Sequence, residues 1–579
     1  MKCWHFLIRL VPFLVPVILL FLIARNGVNV PFGDEWDIPG RFLTLETHSF
    51  ADYFAQSNES RLVVPKLIYL TASKYVGWQP KHYMYFGWVI VLFIGLLIWK
   101  LCYPRATAGR RLDAIAMTCI ALTSALLFSP AAYENWLWGL QWVIFVPLLC
   151  ILIACHMQTR VQAFWGRYLV TVFINAVAMF SFSNGLVVWF VSFPFWKEVL
   201  AFVATRRTSK SGMARFLIWS SAYFGTALAF IGWYFKGYQH FSAQPSLSYV
   251  LKAPSAVLKY FLAWCGGPIH GNAILHLALG FAVIGCVFLL LACITQRVRA
   301  TRPSKSYLYL RRLYPALLII IYSCGSGAMT AIGRAGFGME QAYSSRYLFH
   351  SGALAIGLIA AFNAHRLTAP KASDTPSNSS NLFHSTMIVL LLLTVRTWSH
   401  GCKLFDWTRA ARAQHLLTIR MLPLAPSSPL VDKVCSFANL PALIRLLEER
   451  NMFRVSPVGA WIADALRQST QESGGVVEIS RGEQPEILAT GWGVIPSRDE
   501  PPDSILICRV AQSGSLEPWM MLSVGFKRDD AVKVTGKKSL LGSGFKENIP
   551  WKAGEAIPKM EFFAVDERSQ RLYRIPRNP

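Results

Sequence analysis

Along the chain, apolar stretches recur with short polar segments between them. They fall at about 6–24, 84–103, 114–131, 139–156, 168–181, 185–196, 216–235, 274–295, 313–332, 346–364 and 383–399. Several approach or reach the roughly 20 residues that a helix needs to cross about 30 Å of hydrocarbon. The pattern therefore predicts an α-helical polytopic membrane protein of about eleven transmembrane helices. The first stretch follows Lys2 and Arg9, and Arg25 and Asn26 come after it without a small-x-small cleavage site. It is longer than a signal-peptide core, so a permanent anchor is expected.

Two segments are apolar but too short or too charged to cross. Residues 62–76 carry Lys66 and Lys74 on an amphipathic helix, and residues 250–265 lead into Gly266-Gly267-Pro268. Both are expected to lie on the membrane surface. The stretches 168–181 and 185–196 are joined by FSNG, which predicts a tight helical hairpin, and 370–381 reads as a polar linker. Beyond a connector over 401–430, residues 436–453 read as a helix. The runs GVVEIS, EILATGWGVI, SILICRVA, WMMLSVGF, EFFAVD and RLYRI read as strands. The expected domains are a transmembrane domain over 1–400 with a large first outer loop at 25–83, and a small β-sandwich-like extracytoplasmic domain over 431–579.

Composition sharpens this picture. The chain is 54% hydrophobic and 15% charged, with a mean hydropathy of +0.38, whereas soluble domains are about a quarter charged. A net charge of +26 would suggest nucleic acid in a soluble protein. Here the cations cluster between the apolar stretches: Arg105, Arg110 and Arg111; Arg160 and Arg167; Lys197, Arg206, Arg207, Lys210 and Arg215; and the group from Arg297 to Arg312. All fall on one side, as the positive-inside rule expects, so the partner is a lipid bilayer and not nucleic acid. The N-terminus is then cytoplasmic. The loops 25–83, 132–138, 236–273 and 333–345 and the C-terminal domain lie outside. Most of the 12 cysteines sit in apolar stretches, where a thiol acts as a small apolar group. Cys435 and Cys508 lie in the tail, where a disulfide is open.

Candidate chemistry is sought in the outer loops. VPFGDEWD places Asp34, Glu35 and Asp37 just past the first apolar stretch, and SNESRLVVPK adds Asn58, Glu59, Arg61 and Lys66. A carboxylate can take the proton of an acceptor hydroxyl or hold a divalent cation, and Arg or Lys can neutralise a phosphate leaving group. AAYENWLWGLQ contributes Tyr133, Glu134 and Asn135, and IGRAGFGMEQAYSSRY contributes Arg334, Glu340 and Arg346. A solvated loop, an aromatic belt and an anchoring arginine are the plain alternatives for these three groups. No Gly-rich nucleotide loop appears in a cytoplasmic segment, so no nucleotide cofactor is expected.

PFGDEWD, SNESRLVVPKL, AAYENWLWGLQ, FSFSNGLVVW and AYSSRYLFH together resemble a largely uncharacterised bacterial group of the GT-C class of membrane glycosyltransferases. The resemblance covers about residues 1–400, with a fainter echo at GWGVIP and SVGFKRDD. It implies a GT-C-like fold in the inner membrane and transfer of a sugar from a polyprenyl-phosphate donor to a glycan or lipid acceptor on the periplasmic face. It also implies that Asp34, Glu35 or Asp37 supplies the catalytic acid motif. A transporter or flippase for a lipid-linked glycan, and a non-catalytic assembly subunit, are the rival functions.

Overall fold

A computed structural model describes residues 2–103, 114–205, 210–240, 245, 248–368, 378–436, 439–468, 471–481, 486–551 and 556–576. Arg105, Arg110, Arg111, Arg206, Arg207 and most of the linker 370–381 lie outside the described residues. The chain divides into two compact units. The first comprises Met1–Gly27, Thr47–Ile68 and His82–Phe405; the second comprises Val28–Glu46, Tyr69–Lys81 and Asp406–Pro579. The first outer loop is thus shared between the two, and its acids at 34, 35 and 37 belong to the second.

The first unit is helical. Among the described residues, seven helices are long and apolar enough to cross a membrane: Pro80–Cys102, Ile115–Leu137, Gly139–Arg160, Gly212–Phe235, Ala273–Ala300, Pro303–Phe337 and Ser345–Thr368. The pair Gly185–Val191 and Trp196–Thr205, bent by 43°, makes up to eight. The other three expected crossings are helical as well: the first lies in the 25-residue helix Lys2–Asn26, of which Leu10–Asn26 is apolar, 168–181 falls in the shorter apolar helix Phe164–Met179, and 383–399 lies within the 44-residue helix Asn378–Met421. The outer surface matches a bilayer and not water. On Ala273–Ala300, Ile274, Phe281, Phe288 and Leu289 are each more than 60% exposed, a contiguous apolar face that only hydrocarbon solvates without penalty.

The expected surface segments are both helical, at Val63–Val76 and at Ser248–Lys252 with Pro254–Cys265. The latter stops at Gly266, where a Cβ would lie 2.0 Å from the His276 carbonyl oxygen. Gly280 makes the reciprocal approach, 1.9 Å from the Leu262 oxygen. Two glycines thus let the Pro254–Cys265 and Ala273–Ala300 helices touch backbone to backbone, which no larger residue permits. The FSNG turn closes in the same way. Gly185 packs so tightly that its Cβ would meet the Ala178 oxygen at 2.1 Å, so the hairpin between Phe164–Met179 and Gly185–Val191 depends on glycine there.

Among the described residues, the second unit contains seven strands in two sheets. β1 (Gly475–Arg481), β2 (Glu486–Gly493) and β5 (Gly544–Pro550) form one, in the order β1-β2-β5. β3 (Ser504–Val510), β4 (Leu516–Ser523), β6 (Met560–Asp566) and β7 (Arg571–Ile575) form the other, in the order β4-β3-β6-β7. All pairings between these strands are antiparallel. β5 and the helices Trp461–Gln468 and Asp529–Thr535 were not foreseen.

The period of two along each strand places the core. Ile505, Ile507, Met520, Leu522, Phe562, Ala564, Tyr573 and Ile575 face the three-stranded sheet, where they meet Val477, Ile487, Ala489, Phe545 and Ile549. The intervening residues Leu506, Cys508, Met521, Phe563, Val565 and Leu572 face the other way, against Leu417, Met421, Val458 and Ile462. The continuous apolar runs of β3 and β6 are thereby explained, because the four-stranded sheet is covered on both faces. Cys508 is a buried free thiol on the helix-covered face and forms no disulfide with Cys435.

Candidate functional site

In the first unit, the segment after Pro303–Arg334 is a chain of short helical turns, Ala335–Phe337, Met339–Tyr343 and Ser345–Tyr347, leading into Leu348–Thr368. Gly338, at φ 99°, supplies the left-handed residue that separates the first two turns. This path brings Arg334 and Arg346 to the same end of two packed apolar helices. Tyr347 lies within electrostatic reach of both guanidinium groups, of Glu59 and of the Tyr260 hydroxyl.

Each arginine has one carboxylate. Arg334 Nη2 donates to Glu59 Oε1 at 2.5 Å, and its guanidinium lies 5.7 Å from the Phe337 ring centre. Arg346 Nη2 donates to Glu134 Oε1 at 3.1 Å and stands 5.8 Å from the Trp138 ring centre. The Ser345 hydroxyl donates to the other oxygen of Glu134, and Asn135 Nδ2 donates to the Ser345 carbonyl at 3.4 Å. Among the described residues, Arg346 Nε and Asn135 Oδ1 are polar atoms here that are buried without a hydrogen-bond partner. Tyr260 is fully buried, and burial pushes its hydroxyl well above the ordinary range, so it is a neutral donor at any physiological pH.

Glu59 reaches Arg334 because SNES is a tight turn. Ser57 and Ser60 exchange backbone hydrogen bonds at 2.8 and 2.9 Å, and Asn58 adopts φ 49°, a conformation that Asn tolerates better than most residues. The turn is anchored by the two cations that follow it. Arg61 donates to the Tyr234 and Lys236 carbonyls at 2.6 Å each, and to that of Phe54. Lys66 Nζ donates to the carbonyls of Asp52 at 2.8 Å and Ala55 at 2.9 Å. Both side chains are buried, so they cap the C-terminal ends of the Phe50–Phe54 and Lys210–Phe235 helices. Glu340 is exposed, and Tyr133 half-buried.

The acids of the second unit are arranged differently. Glu35 is fully buried; its Oε2 accepts the Phe32 N–H at 3.0 Å, and its Oε1 has no hydrogen-bond partner. Burial pushes its carboxyl up to about 8, outweighing the Phe32 bond and the nearby Arg412, which pull it down. Asp34 points outward, and Asp37 pairs with Arg41 at 3.4 Å on an exposed turn. The three acids therefore do not converge on one ion. Among the described residues there is no group of three or more His, Cys, Asp or Glu able to hold a metal, and the donors do not fit the divalent cation that the sequence left open. Around Glu35, Trp36 packs edge to face on Trp78 and Phe453 at 6.0 and 6.1 Å, and those two rings meet at a tilt at 5.6 Å, while Arg412 sits on the Phe32 ring. This is the chemistry of a packed core.

The paired contacts Glu59–Arg334 and Glu134–Arg346 join residues more than 200 positions apart, so no local signal could show them. Tyr260 and Tyr347 were not singled out in the sequence, since a lone tyrosine at a helix end usually marks the interface. Comparisons with protein-family models, curated proteins and solved structures find no match to this chain.

Proposed function

We propose that the protein is a membrane glycosyltransferase that moves a sugar from a polyprenyl-phosphate donor to a glycan or lipid acceptor at the periplasmic face of the inner membrane. The observation that carries this reading is the convergence of Arg334 and Arg346 on Tyr347 at one end of two apolar helices, each guanidinium steadied by one carboxylate. Arginine matches phosphate oxygens in two-pronged geometry. A phosphate attached to a long apolar chain is the anion that such a position, beside a hydrocarbon-facing bundle, is suited to bind.

The donor phosphate displaces Glu59 from Arg334 and is held between the two arginines, with the neutral tyrosines as further donors. The acceptor oxygen forms its bond to the anomeric carbon as the bond from that carbon to the phosphate oxygen breaks. The electron pair leaves with polyprenyl phosphate, stabilised by the arginines, and the hydroxyl proton passes to the released Glu59 carboxylate. A single displacement of this kind inverts the anomeric centre.

The test uses the full chain in lipid nanodiscs with a polyprenyl-phosphate sugar. Arg346→Ala weakens donor binding, and Glu59→Gln retains it while lowering turnover by a factor on the order of 10²–10⁴. Asp34→Asn, Glu35→Gln and Asp37→Asn stay within a few-fold of the parent. A large loss of turnover with Asp34→Asn would move the base to the first-loop acids. Transport of a lipid-linked glycan across the bilayer that the arginine variants abolish, without any transfer, would replace the enzyme by a flippase.

A further inference from the structure

A second cluster of cations lies at the other end of the same helix. Arg311 and Arg312 precede Arg334 by at least 22 positions on Pro303–Arg334, a rise of about 33 Å along the axis, which is the thickness of the hydrocarbon layer. Here the structure forms a cavity of about 410 Å³ within the first unit, in the size range of small-ligand sites. Four cations from three helices line it: Lys100, Lys197, Arg311 and Arg312.

Among the described residues none of these four has a carboxylate partner. Lys100 Nζ meets His156 Nε2 at 3.4 Å. The neighbouring acid, Glu198, is already bound by Arg167 through two contacts of 2.7 and 3.0 Å. Positive-inside topology explains cations at this end of the bundle. It does not explain their convergence on one hollow, since like charges brought together without a counter-ion repel one another. Gln158, Thr159 and Asn363 add polar groups, and most of the remaining wall is apolar, with Trp196, Leu200 and Leu367 among its residues. Leu308, also in the wall, is 55% exposed, so the hollow borders the lipid-facing surface. The ligand must therefore bring both a negative charge and hydrocarbon.

We propose that this cavity binds the phosphate headgroup of an anionic lipid from the leaflet opposite the Arg334–Arg346 site. The inference does not depend on the glycosyl-transfer reading. The headgroup phosphate is shared between Arg311, Arg312, Lys197 and Lys100, while the first methylenes of the acyl chains lie against the apolar wall.

The experiment measures lipid retained by the full-length purified protein in native mass spectrometry, offering phosphatidic acid, phosphatidylcholine or inorganic phosphate. Phosphatidic acid is retained in preference to phosphatidylcholine, and inorganic phosphate does not displace it at matching concentration. The double variant R311Q/R312Q retains at least about tenfold less, because it removes charge-assisted hydrogen bonds. R311K/R312K keeps the charge and the membrane topology and shows a smaller loss. Ala364→Leu, which narrows the cavity without touching a charge, also lowers retention. Equal retention of the two lipids, or equal retention by the parent and all three variants, overturns the proposal. Displacement of the lipid by inorganic phosphate at matching concentration makes this a soluble-anion site and overturns the lipid assignment.

Discussion

Replacing Glu35 with glutamine removes one titration from the second unit and leaves its shape intact. The carboxyl is fully buried, and burial raises it from its ordinary 4.5 to about 8. Between those two values the folded segment holds a proton that the opened segment has lost. Stability is therefore fully present below about pH 4.5 and falls as pH rises toward 8, by up to about 1.4 kcal/mol per pH unit. Over that window the total is at most about 5 kcal/mol. Above pH 8 both states are ionised and the decline stops. In Glu35→Gln the amide oxygen can still accept the Phe32 N–H, so the packing of Trp36 against Trp78 and Phe453 is expected to persist. Hydrogen exchange of the amides in residues 33–41 of the full chain, corrected for intrinsic rates, reads the local opening free energy. The parent should lose several kcal/mol of protection between pH 5 and pH 8, and the variant should be flat and the more protected of the two at pH 8. Identical slopes in the two proteins would show that the carboxyl is ionised when folded and would refute the argument.

Three further outcomes follow from the packing. Gly185→Ala forces a Cβ against the Ala178 carbonyl; it should destabilise the first unit by about 3 kcal/mol and lower its thermal unfolding midpoint, as overpacking at a backbone contact does. Lys66→Met leaves the Asp52 and Ala55 carbonyls without their donor and should destabilise by about 2–4 kcal/mol, again read as a lower midpoint. An alkaline phosphatase fused at Pro576 should be active if the positive-inside assignment is right, whereas activity of a cytoplasmic reporter alone would reverse it.

The alternation of apolar and polar positions by itself determined a large part of the architecture. Runs such as SILICRV and EFFAVD are strands because β-branched and aromatic residues on both faces need two covering layers, and the fold supplies both. The apolar stretches form helices because a backbone in hydrocarbon must satisfy its own hydrogen bonds. β5 escaped notice because GFKENIP carries Lys546, Glu547 and Asn548 between its two core residues, Phe545 and Ile549, and only its pairing with β2 makes it a strand. Charge near the ends of apolar stretches drew attention to Glu59, Glu134, Arg334 and Arg346, but their pairing was decided by how the helices pack. The acids at 34, 35 and 37 look alike in the sequence. The tertiary structure turns Glu35 inward into an apolar pocket and leaves Asp34 outside, because a short helical turn at Gly33–Trp36 puts Glu35 and Trp36 on its buried side. Arg61 and Lys66 likewise look like phosphate ligands until the surrounding helices present unpaired carbonyls to them, and a buried cation takes whichever acceptors the fold places within reach.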